Sequence, residues 1–388
     1  MKIGIDKIGF FAPNLYVDLK DLAEARGIDP NKFLIGLGQS EMAICPETQD
    51  SVSLAANAAY NILTEEDIND IDLLIFATES GVDLSKSGAS FIHGLLNLKS
   101  NVRSIEMKHA CYSATFAVQT AKAHIALNPT KKALVLASDL AIYGLNNSAE
   151  PTQGAGAIAL LISKNPKLVE IEDDSAFLTT DVLDFWKPIY SDVALVDGHF
   201  SNQKYQESFI EVYQAYLEKT NRTINDFKAI CLHTPYSKIG YKTLKMITNE
   251  DAQPELFNNY QLATTLNRRV GNIYTGALYL SLLSLLERAN LKYGDRIGLY
   301  SYGSGAVAEF FSVIVSKDYE KHLNKDKNDH MLNNRMKLSI KEYEELLLKK
   351  IDGTDITFNQ MNKKDNAYFY FKGISNHQRL YAKKHNFE

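Results

Sequence analysis

Glu106-Met-Lys-His-Ala-Cys-Tyr-Ser-Ala-Thr-Phe116 is the stretch where an extended run turns into a helix. The residues from Val102 to Met107 suit a strand, and the spacing of Ala, Val and Ile after them predicts a helix to about Ala126. Cys111 stands at the junction. A thiol at a helix N-terminus meets free backbone N–H groups and the positive end of the helix dipole. Both favour the thiolate, which is the nucleophilic form. A free cysteine is nevertheless most often a small buried hydrophobe. The rest of the chain has to decide what Cys111 is for.

Outward from this junction, strands and helices alternate. The chain from Met1 to Asn14 holds a first strand, and Asp18 or Asp21 starts a helix. Gln49 to Leu63 predicts a helix capped by Asp50, and Ser87 to Leu96 another. Ile71 to Thr78 is a short, nearly unbroken apolar run, hence a strand buried on both faces, and it ends at Glu79. Lys132 to Ser138 and Gly154 to Ser163 are further strands. The order then recurs. Phe227 to His233 is a buried strand, Ser237 to Ile247 a helix, Asn272 to Ala289 a long helix, and Arg296 to Ser301 and Val307 to Val315 are paired strands. Glu79 precedes Cys111 by 32 residues, and His233 precedes Asn272 by 39. Two pseudo-equivalent α/β halves, 1–166 and 167–388, would bring these four residues near one pseudo-axis. Strand ends and helix starts are where such sheets bind ligands.

Two stretches fit the repeat less well. Glu170 to Lys204, with the single tryptophan Trp186, has few clear periods and is expected to be extended loops before a helix over Gln203 to Lys219. From about Lys317 the chain becomes rich in charge and Asn. Helical spacing over Leu338–Leu347 and an aromatic strand over Ala367–Ile374 suggest an appendage packed on the second half.

Composition narrows the function. With 388 residues, 45% hydrophobic and 23% charged, the chain can form proper cores and is ordinary for a globular protein. A net charge of −5 argues against general nucleic-acid binding. No apolar run is long enough to span a bilayer. Three cysteines, Cys45, Cys111 and Cys231, make no disulfide framework and no C-x-x-C zinc pair, which suits a reducing cytoplasm. No two histidines share metal-ligand spacing, so no metal is expected.

Each candidate group has a plainer reading. Glu79 is either a solvated or paired carboxylate at the sheet rim or a general base with a pKa raised by an apolar setting. His233 is either a hydrogen-bonded structural histidine or a partner of Cys111. Cys231 lies inside an apolar strand and belongs to the core, and Cys45 has no assigned role. Lys238 and Lys242, four apart, share a helix face that is either solvated or a phosphate clamp. Gly303-Ser304-Gly305 leads from strand to strand, so it is no dinucleotide fingerprint, but it suits a turn aiming N–H groups at an oxyanion. His93, His124, His322 and His385 look like surface residues.

The motifs together resemble one family. They are Asn31-Lys-Phe-Leu-Ile-Gly-Leu-Gly-Gln39, Ala77-Thr-Glu-Ser80, Ala110-Cys-Tyr112, Tyr143-Gly-Leu145 and Glu150-Pro-Thr-Gln-Gly-Ala-Gly-Ala157. Asp184-Phe-Trp186, Leu195-Val-Asp-Gly198, His233 with Pro235, Gly271-Asn-Ile-Tyr-Thr-Gly276 and Ser301-Tyr-Gly-Ser-Gly305 complete them. Over nearly its whole length the chain is similar to hydroxymethylglutaryl-CoA synthase, especially its bacterial branch. The resemblance implies a thiolase-like fold, with two pseudo-equivalent halves in a layered α-β-α-β-α architecture.

It further implies that Cys111 takes an acetyl group from acetyl-CoA and that Glu79 deprotonates its methyl. The enolate would add to acetoacetyl-CoA, with His233 polarising and helping to protonate the new alkoxide, before water releases the product. Tyr143, Thr152, Ser201, Asn272 and Ser304 match substrate-contacting positions. Lys238 and Lys242 match positions near the CoA phosphates, and Asp29 with Pro30 matches the part near the adenosine. No cofactor is implied, because the CoA thioesters are substrates; a homodimer and the mevalonate pathway are. Two positions depart from relatives: His109 where the bacterial branch tends to carry an acid, and Tyr241 where some have a further lysine. The rival readings are a ketoacyl synthase, which needs no carboxylate base, a synthase acting on carrier-protein-bound acyl groups, and a non-catalytic relative.

Overall fold

In the computed structural model, which describes residues 1–349, 355–358, 365 and 367–384, nine strands make one sheet. They are β1 (Ile3–Phe11), β2 (Ile71–Ala77), β3 (Arg103–Met107), β4 (Lys132–Ala141), β5 (Gly154–Lys164), β6 (Val169–Thr179), β7 (Ala229–Leu232), β8 (Arg296–Gly303) and β9 (Val307–Val315). Their spatial order is β7-β8-β9-β6-β1-β5-β4-β2-β3. In the first half β1 pairs antiparallel with β5, β5 antiparallel with β4, and β4 parallel with β2. In the second half β6 pairs antiparallel with β9, β9 antiparallel with β8, and β8 parallel with β7. The two series match strand for strand. They meet where β1 runs antiparallel to β6, and β3 extends the first half alone.

Side-chain alternation turns this sheet into layers. Along β4, Ala133, Val135 and Ala137 face one core, while Leu134 and Leu136 face another. The helices that matter are α1 (Ser51–Tyr60), α2 (Gly88–Leu95), α3 (Ser113–Leu127), α4 (Gly198–Thr220), α5 (Ser237–Leu244), α6 (Pro254–Ala263), α7 (Ala277–Arg288) and α8 (Ile340–Leu348). The central core holds α3 and α7 between the inner faces of the two half-sheets. Helix α7 is buried at every residue from Ala277 to Leu286; its sequence is apolar on all sides apart from Ser281 and Ser284, whose hydroxyls donate to Ala277 O (3.2 Å) and Leu262 O (2.6 Å). Small residues of α3, among them Ala114, Ala117 and Ala121, pack into the same core. Helices α1 and α2 cover the outside of the first half; α4, α5 and α6 cover the second. The layers are therefore α-β-α-β-α, the expected thiolase-like arrangement.

Local signals behave as their chemistry predicts. Asp50 caps α1 by accepting from Ser53 N (2.9 Å), and Asp18 caps the helix Leu19–Ala25 by accepting from Lys20 N (2.8 Å). Cys231 is fully buried in the central core. His124 is not a free surface residue, because its Nε2 lies 2.7 Å from Asp72 Oδ1. His385 and the end of the Lys317–Lys350 stretch fall outside the described residues.

Two expectations need correction. Glu170 to Lys204 is not all loop, since Val169–Thr179 is the eleven-residue β6. Acidic residues hide its alternation, and Glu172 stays in place by accepting from Arg222 Nη2 (2.8 Å) and Arg296 Nε (2.7 Å). The C-terminal appendage is divided. Its first part packs on the second half as expected, where Asn328 Nδ2 donates to Glu287 Oε1 of α7 (2.6 Å) and Asp329 pairs with Arg288, but from Met336 onward it packs on the first half. Met336–Lys337 pairs with Leu15 and Tyr16, and Asn57 Nδ2 of α1 donates to Phe369 O (2.8 Å). Tyr343 of α8 is fully buried with Val17, Leu19 and Met42. The partners that hold this later part, Leu15, Tyr16 and Asn57, are remote in the chain, so no local pattern announces them.

Tyr343 OH donates to Glu150 Oε1 (3.2 Å) and accepts from Gln153 Nε2 (2.7 Å). Tyr343→Phe leaves that buried amide donor unpaired and should lower stability by about 1–3 kcal/mol. The denaturation midpoint measures this, and a midpoint equal to that of the unmutated protein would show the hydroxyl to be dispensable.

Candidate active site

The parallel strands β2 and β7 end at one edge of the molecule, and each delivers one polar side chain. After β2, Thr78 and Glu79 are held by Asp139 of β4. Asp139 Oδ1 accepts from Thr78 Oγ1 (2.9 Å), Glu79 N (2.7 Å) and Ser80 N (3.0 Å). After β7, His233 N donates to Tyr300 O (2.8 Å), and Tyr205 OH donates to His233 O (2.7 Å). Backbone on both sides of each residue is thus fixed before any ligand arrives.

Cys111 sits in a turn rather than on the first residue of a helix. Helix α3 starts at Ser113, and Ala110 takes the left-handed conformation at φ 41°. Side chains without glycine's freedom pay roughly 1–2 kcal/mol there. The turn is braced by His109 N donating to Ser113 Oγ and by Ser113 Oγ donating to Ala110 O, each at 2.8 Å. The end of β8 presses against it. A Cβ on Gly303 would lie 2.6 Å from Tyr112 N and 2.8 Å from His109 O, so only glycine fits. Asn272 likewise precedes its helix; a 3-10 turn, Tyr274–Gly276, separates it from α7. It reaches the site because Gly271, at φ 84°, lets the chain pass where a Cβ would lie 2.0 Å from Gln153 O.

A cavity of about 370 Å³ opens over these groups. Cys111, His233, Asn272, Tyr143 and Ser304 line it, as do Thr152 and Ser201. Seven of the residues singled out in the sequence therefore meet in one space. Glu79 joins them through Cys111, whose Sγ donates to Glu79 Oε1 at 3.2 Å. Asn272 Nδ2 donates to Tyr143 OH (3.1 Å), which links the halves across the cavity. Asp29, Pro30, Lys238 and Lys242 do not line it. Asp29 is exposed and accepts from Asn31 N (2.9 Å); with Pro30 it leads into the π-helical segment Lys32–Leu37. Lys238 and Lys242 lie on α5, with Lys238 Nζ 4.4 Å from the Tyr241 ring centroid. Leu37 and Ile239 from these two segments do reach the cavity, so the four residues flank it.

Charge in the site is unusual. Burial pushes the Glu79 carboxyl far above the ordinary range, and the neighbouring Asp139 carboxylate adds to the effect; Lys187 and Lys108 oppose it more weakly. Burial likewise raises Asp139. The Cys111 thiol is pushed up by burial and by the negative charge of Glu79. The expected thiolate is therefore not the resting form: desolvation and a carboxylate in contact outweigh the dipole of a helix that starts two residues later. Burial lowers His233 to about 3, so the imidazole is neutral, and its Nδ1 has no hydrogen-bond partner among the described residues.

Two supporting carboxylates were missed in the sequence. Asp139 ends a buried run, as Glu79 does, and the same rule would have found it. Asp184 is fully buried in the quoted Asp-Phe-Trp motif, where Oδ2 accepts from Tyr302 OH (2.9 Å) and Ser201 Oγ (3.0 Å) and Oδ1 from Gly305 N (3.0 Å). The aromatic walls Tyr205, Tyr274 and Tyr302 carry no local signal. Among the described residues no group of three or more His, Cys, Asp or Glu could hold a metal ion, and no helix is long and apolar enough to cross a membrane.

Two family models match the chain. One, hydroxymethylglutaryl-coenzyme A synthase N terminal, covers residues 1–167; the other, the C-terminal model of the same family, covers 173–261 and 252–384. The hydroxymethylglutaryl-CoA synthase of Enterococcus faecalis is 46% identical over 98% of this chain and 100% of its own. The polyketide biosynthesis 3-hydroxy-3-methylglutaryl-ACP synthase PksG of Bacillus subtilis is 31% identical over 88% of this chain and 87% of its own. A crystal structure of an HMG-CoA synthase complexed with CoA superposes with a TM-score of 0.95 at 42% identity, covering 99% of this chain and 100% of that one.

The thiol–carboxylate contact has a direct readout. Alkylation of Cys111 by iodoacetamide, followed at the peptide level, should be slow near neutral pH and accelerate as pH rises past the ordinary thiol range. Glu79→Gln removes the charge that raises the thiol, so the same acceleration should occur at lower pH. An unshifted profile would mean that Glu79 does not control the thiol.

Proposed function

Since the chain belongs to the hydroxymethylglutaryl-CoA synthase family, we propose how its cavity condenses acetyl-CoA with acetoacetyl-CoA and water to give 3-hydroxy-3-methylglutaryl-CoA and CoA. The observation that carries the mechanism is the Cys111 Sγ–Glu79 Oε1 hydrogen bond inside the His233-lined cavity.

Acylation needs the thiolate, and Glu79 is in contact to take the thiol proton as Cys111 attacks the acetyl carbonyl. The proton leaves with CoA, and acetyl-Cys111 remains. Glu79 then removes a proton from the acetyl methyl group. An ordinary carboxylate is too weak a base for carbon acids at modest cost, and the burial and Asp139 charge that raise Glu79 make it a stronger one. The enolate adds to the ketone of acetoacetyl-CoA. Held neutral by burial, His233 polarises that ketone as a hydrogen-bond donor, and the proton taken by Glu79 returns to the new alkoxide. Water finally cleaves the Cys111 thioester, leaving a carboxylate on the product and restoring the thiol. The Ser304 turn and the backbone at Cys111 are the candidates for steadying the oxyanions, because both face the cavity. Tyr143, Thr152, Ser201 and Asn272 hold the acyl groups, and Lys238, Lys242, Asp29 and Pro30 receive the nucleotide end of CoA.

A ketoacyl synthase would have no use for a raised carboxylate touching its thiol. Free CoA, rather than a carrier protein, is favoured by the higher identity to the CoA-dependent relative. The same reading makes the protein a homodimer of the mevalonate pathway in the cytoplasm. A dimer is supported by β3, an edge strand whose Ile105 is exposed beside the exposed Phe116 of α3.

Glu79→Gln should still form acetyl-Cys111, seen by mass spectrometry, because without the neighbouring charge the thiol gives up its proton to water more readily, but it should lose condensation by about 10²–10⁴-fold, the usual weight of a general base; Cys111→Ala should form no adduct. Because the base must be ionised and its pKa is raised, condensation by the unmutated enzyme should climb with pH through the neutral range instead of levelling off above the ordinary glutamate range. Normal turnover by Glu79→Gln would show that another group is the base.

A further inference from the structure

Behind the nucleophile lies a buried carboxylate that the condensation does not use. Glu309, on β9, is only 3% exposed. Its neighbours in the sheet are Ser301 of β8 and Phe177 of β6. Two residues on, Phe311 joins the central core, so Glu309 faces the layer that holds α3. There Glu309 Oε2 accepts from Tyr112 OH (2.6 Å) and Oε1 from Gln119 Nε2 (2.9 Å). Tyr112 and Gln119 are seven residues apart, about two helical turns, so one carboxylate grips one face of α3 at both ends of that interval. Burial raises the carboxyl above its ordinary range, against the bonds from Tyr112, Ser175 and Gln119. An apolar side chain of the same size would avoid that cost. What the carboxylate adds is direction, because its two bonds fix where the start of α3 lies.

Cys111 is the residue before Tyr112 and moves with that anchor. On the far side of the turn, Ala114 N donates to Thr275 Oγ1 (2.6 Å), just ahead of α7. Two anchors fix the orientation of the turn, whereas one would leave a pivot. Ser304 stands five residues before Glu309, on the turn that joins β8 to β9. The Tyr112–Glu309 bond therefore ties the thiol to the turn that is the candidate for steadying its oxyanions. We propose that Glu309 is a positioning residue for the nucleophile: through Tyr112 it holds Cys111 at the spacing from the Ser304 turn that acetylation requires. That role presupposes that Cys111 is the acetylated residue. Neither Glu309 nor Tyr112 lines the cavity, so their effect falls on the rate of acetylation and not on the hold on CoA.

Single-turnover acetylation of Cys111 by acetyl-CoA tests this on the full-length protein, followed by mass spectrometry below the denaturation midpoint of every variant. Glu309→Leu nearly keeps the volume and removes both acceptors. Its maximal acetylation rate should fall by about ten-fold or more, as misplaced reacting groups do, while the half-saturating acetyl-CoA concentration changes by less than about two-fold. Glu309→Gln should restore most of the rate, because its oxygen can accept from Tyr112 while its amide donates to a rotated Gln119. Tyr112→Phe should lose as much as Glu309→Leu, and it tests the same bond should Glu309→Leu not fold. The double variant should lose no more than either single one. An unchanged rate in Tyr112→Phe or Glu309→Leu, no rescue in Glu309→Gln, or losses that multiply in the double variant overturns the positioning role alone. An unmutated protein that forms no acetyl adduct overturns the assigned reaction and this role with it.

Discussion

The site depends on two carboxylates, Glu79 and Asp139, buried close together. Asp139 is fully buried and spends its Oδ1 on the backbone and hydroxyl donors of Thr78, Glu79 and Ser80. Those bonds make it the better-solvated member of the pair, the one suited to carry the charge. Among the described residues the Glu79 carboxylate has one bonded contact, the Cys111 thiol, and so inherits the penalty. Like charges at close range in a desolvated pocket cannot both be ionised at ordinary cost. The fold therefore places a proton-hungry carboxylate against the Cys111 thiol, and it does so with a residue, Asp139, that does not line the cavity.

Duplication explains why the reacting groups converge. Each half ends a parallel strand, β2 or β7, at the same edge, and each supplies one helix of the shared central layer, α3 or α7. Glu79 and His233 occupy matching strand ends; Cys111 and Asn272 occupy matching turns before α3 and α7. The halves have diverged in what they present. One side offers a thiol hydrogen-bonded to a carboxylate, and the other an amide and an imidazole that burial keeps neutral. The thiol and the raised carboxylate lie on one half and the amide and imidazole on the other, with the cavity between them.

What was legible in the sequence followed physical signal strength. The buried strands were plain because unbroken apolar runs such as Ile71–Ala77 have few alternatives, and Asp50 marked a helix start because its side chain completes a cap. The repeat, and with it the convergence of Glu79, Cys111, His233 and Asn272, was visible from element order. β6 was hidden because its acidic residues find cations remote in sequence, Glu172 at Arg222 and Arg296, Glu170 at Lys2 and Asp173 at Lys122. The placement of the C-terminal region was hidden for a similar reason: nothing local to Tyr343 names Glu150 and Gln153 as its partners. The thiol's protonation was misjudged because a dipole can be read from a helix start, whereas the desolvation that overrides it belongs to the assembled site.

That C-terminal region also bears on how the site is held. Gln153 Oε1 accepts from Tyr143 N (2.8 Å) and Gly144 N (3.2 Å), and its Nε2 donates to Tyr343 OH. Glu150, which accepts from that same hydroxyl, also accepts from Asn146 N (2.9 Å) and from Arg26 through two bonds (3.0 and 2.8 Å). The loop that presents Tyr143 to Asn272 is thus gripped from its far side by a buried polar network spanning a first-half helix end, β5 and α8. An apolar patch there could cover the same surface, but it would leave the loop's backbone donors unpaired. Hydrogen bonds fix distance and direction together. For a loop whose tyrosine must meet an asparagine from the other half at bonding distance, that directionality is a physical reason for a network where a larger core would have given stability alone.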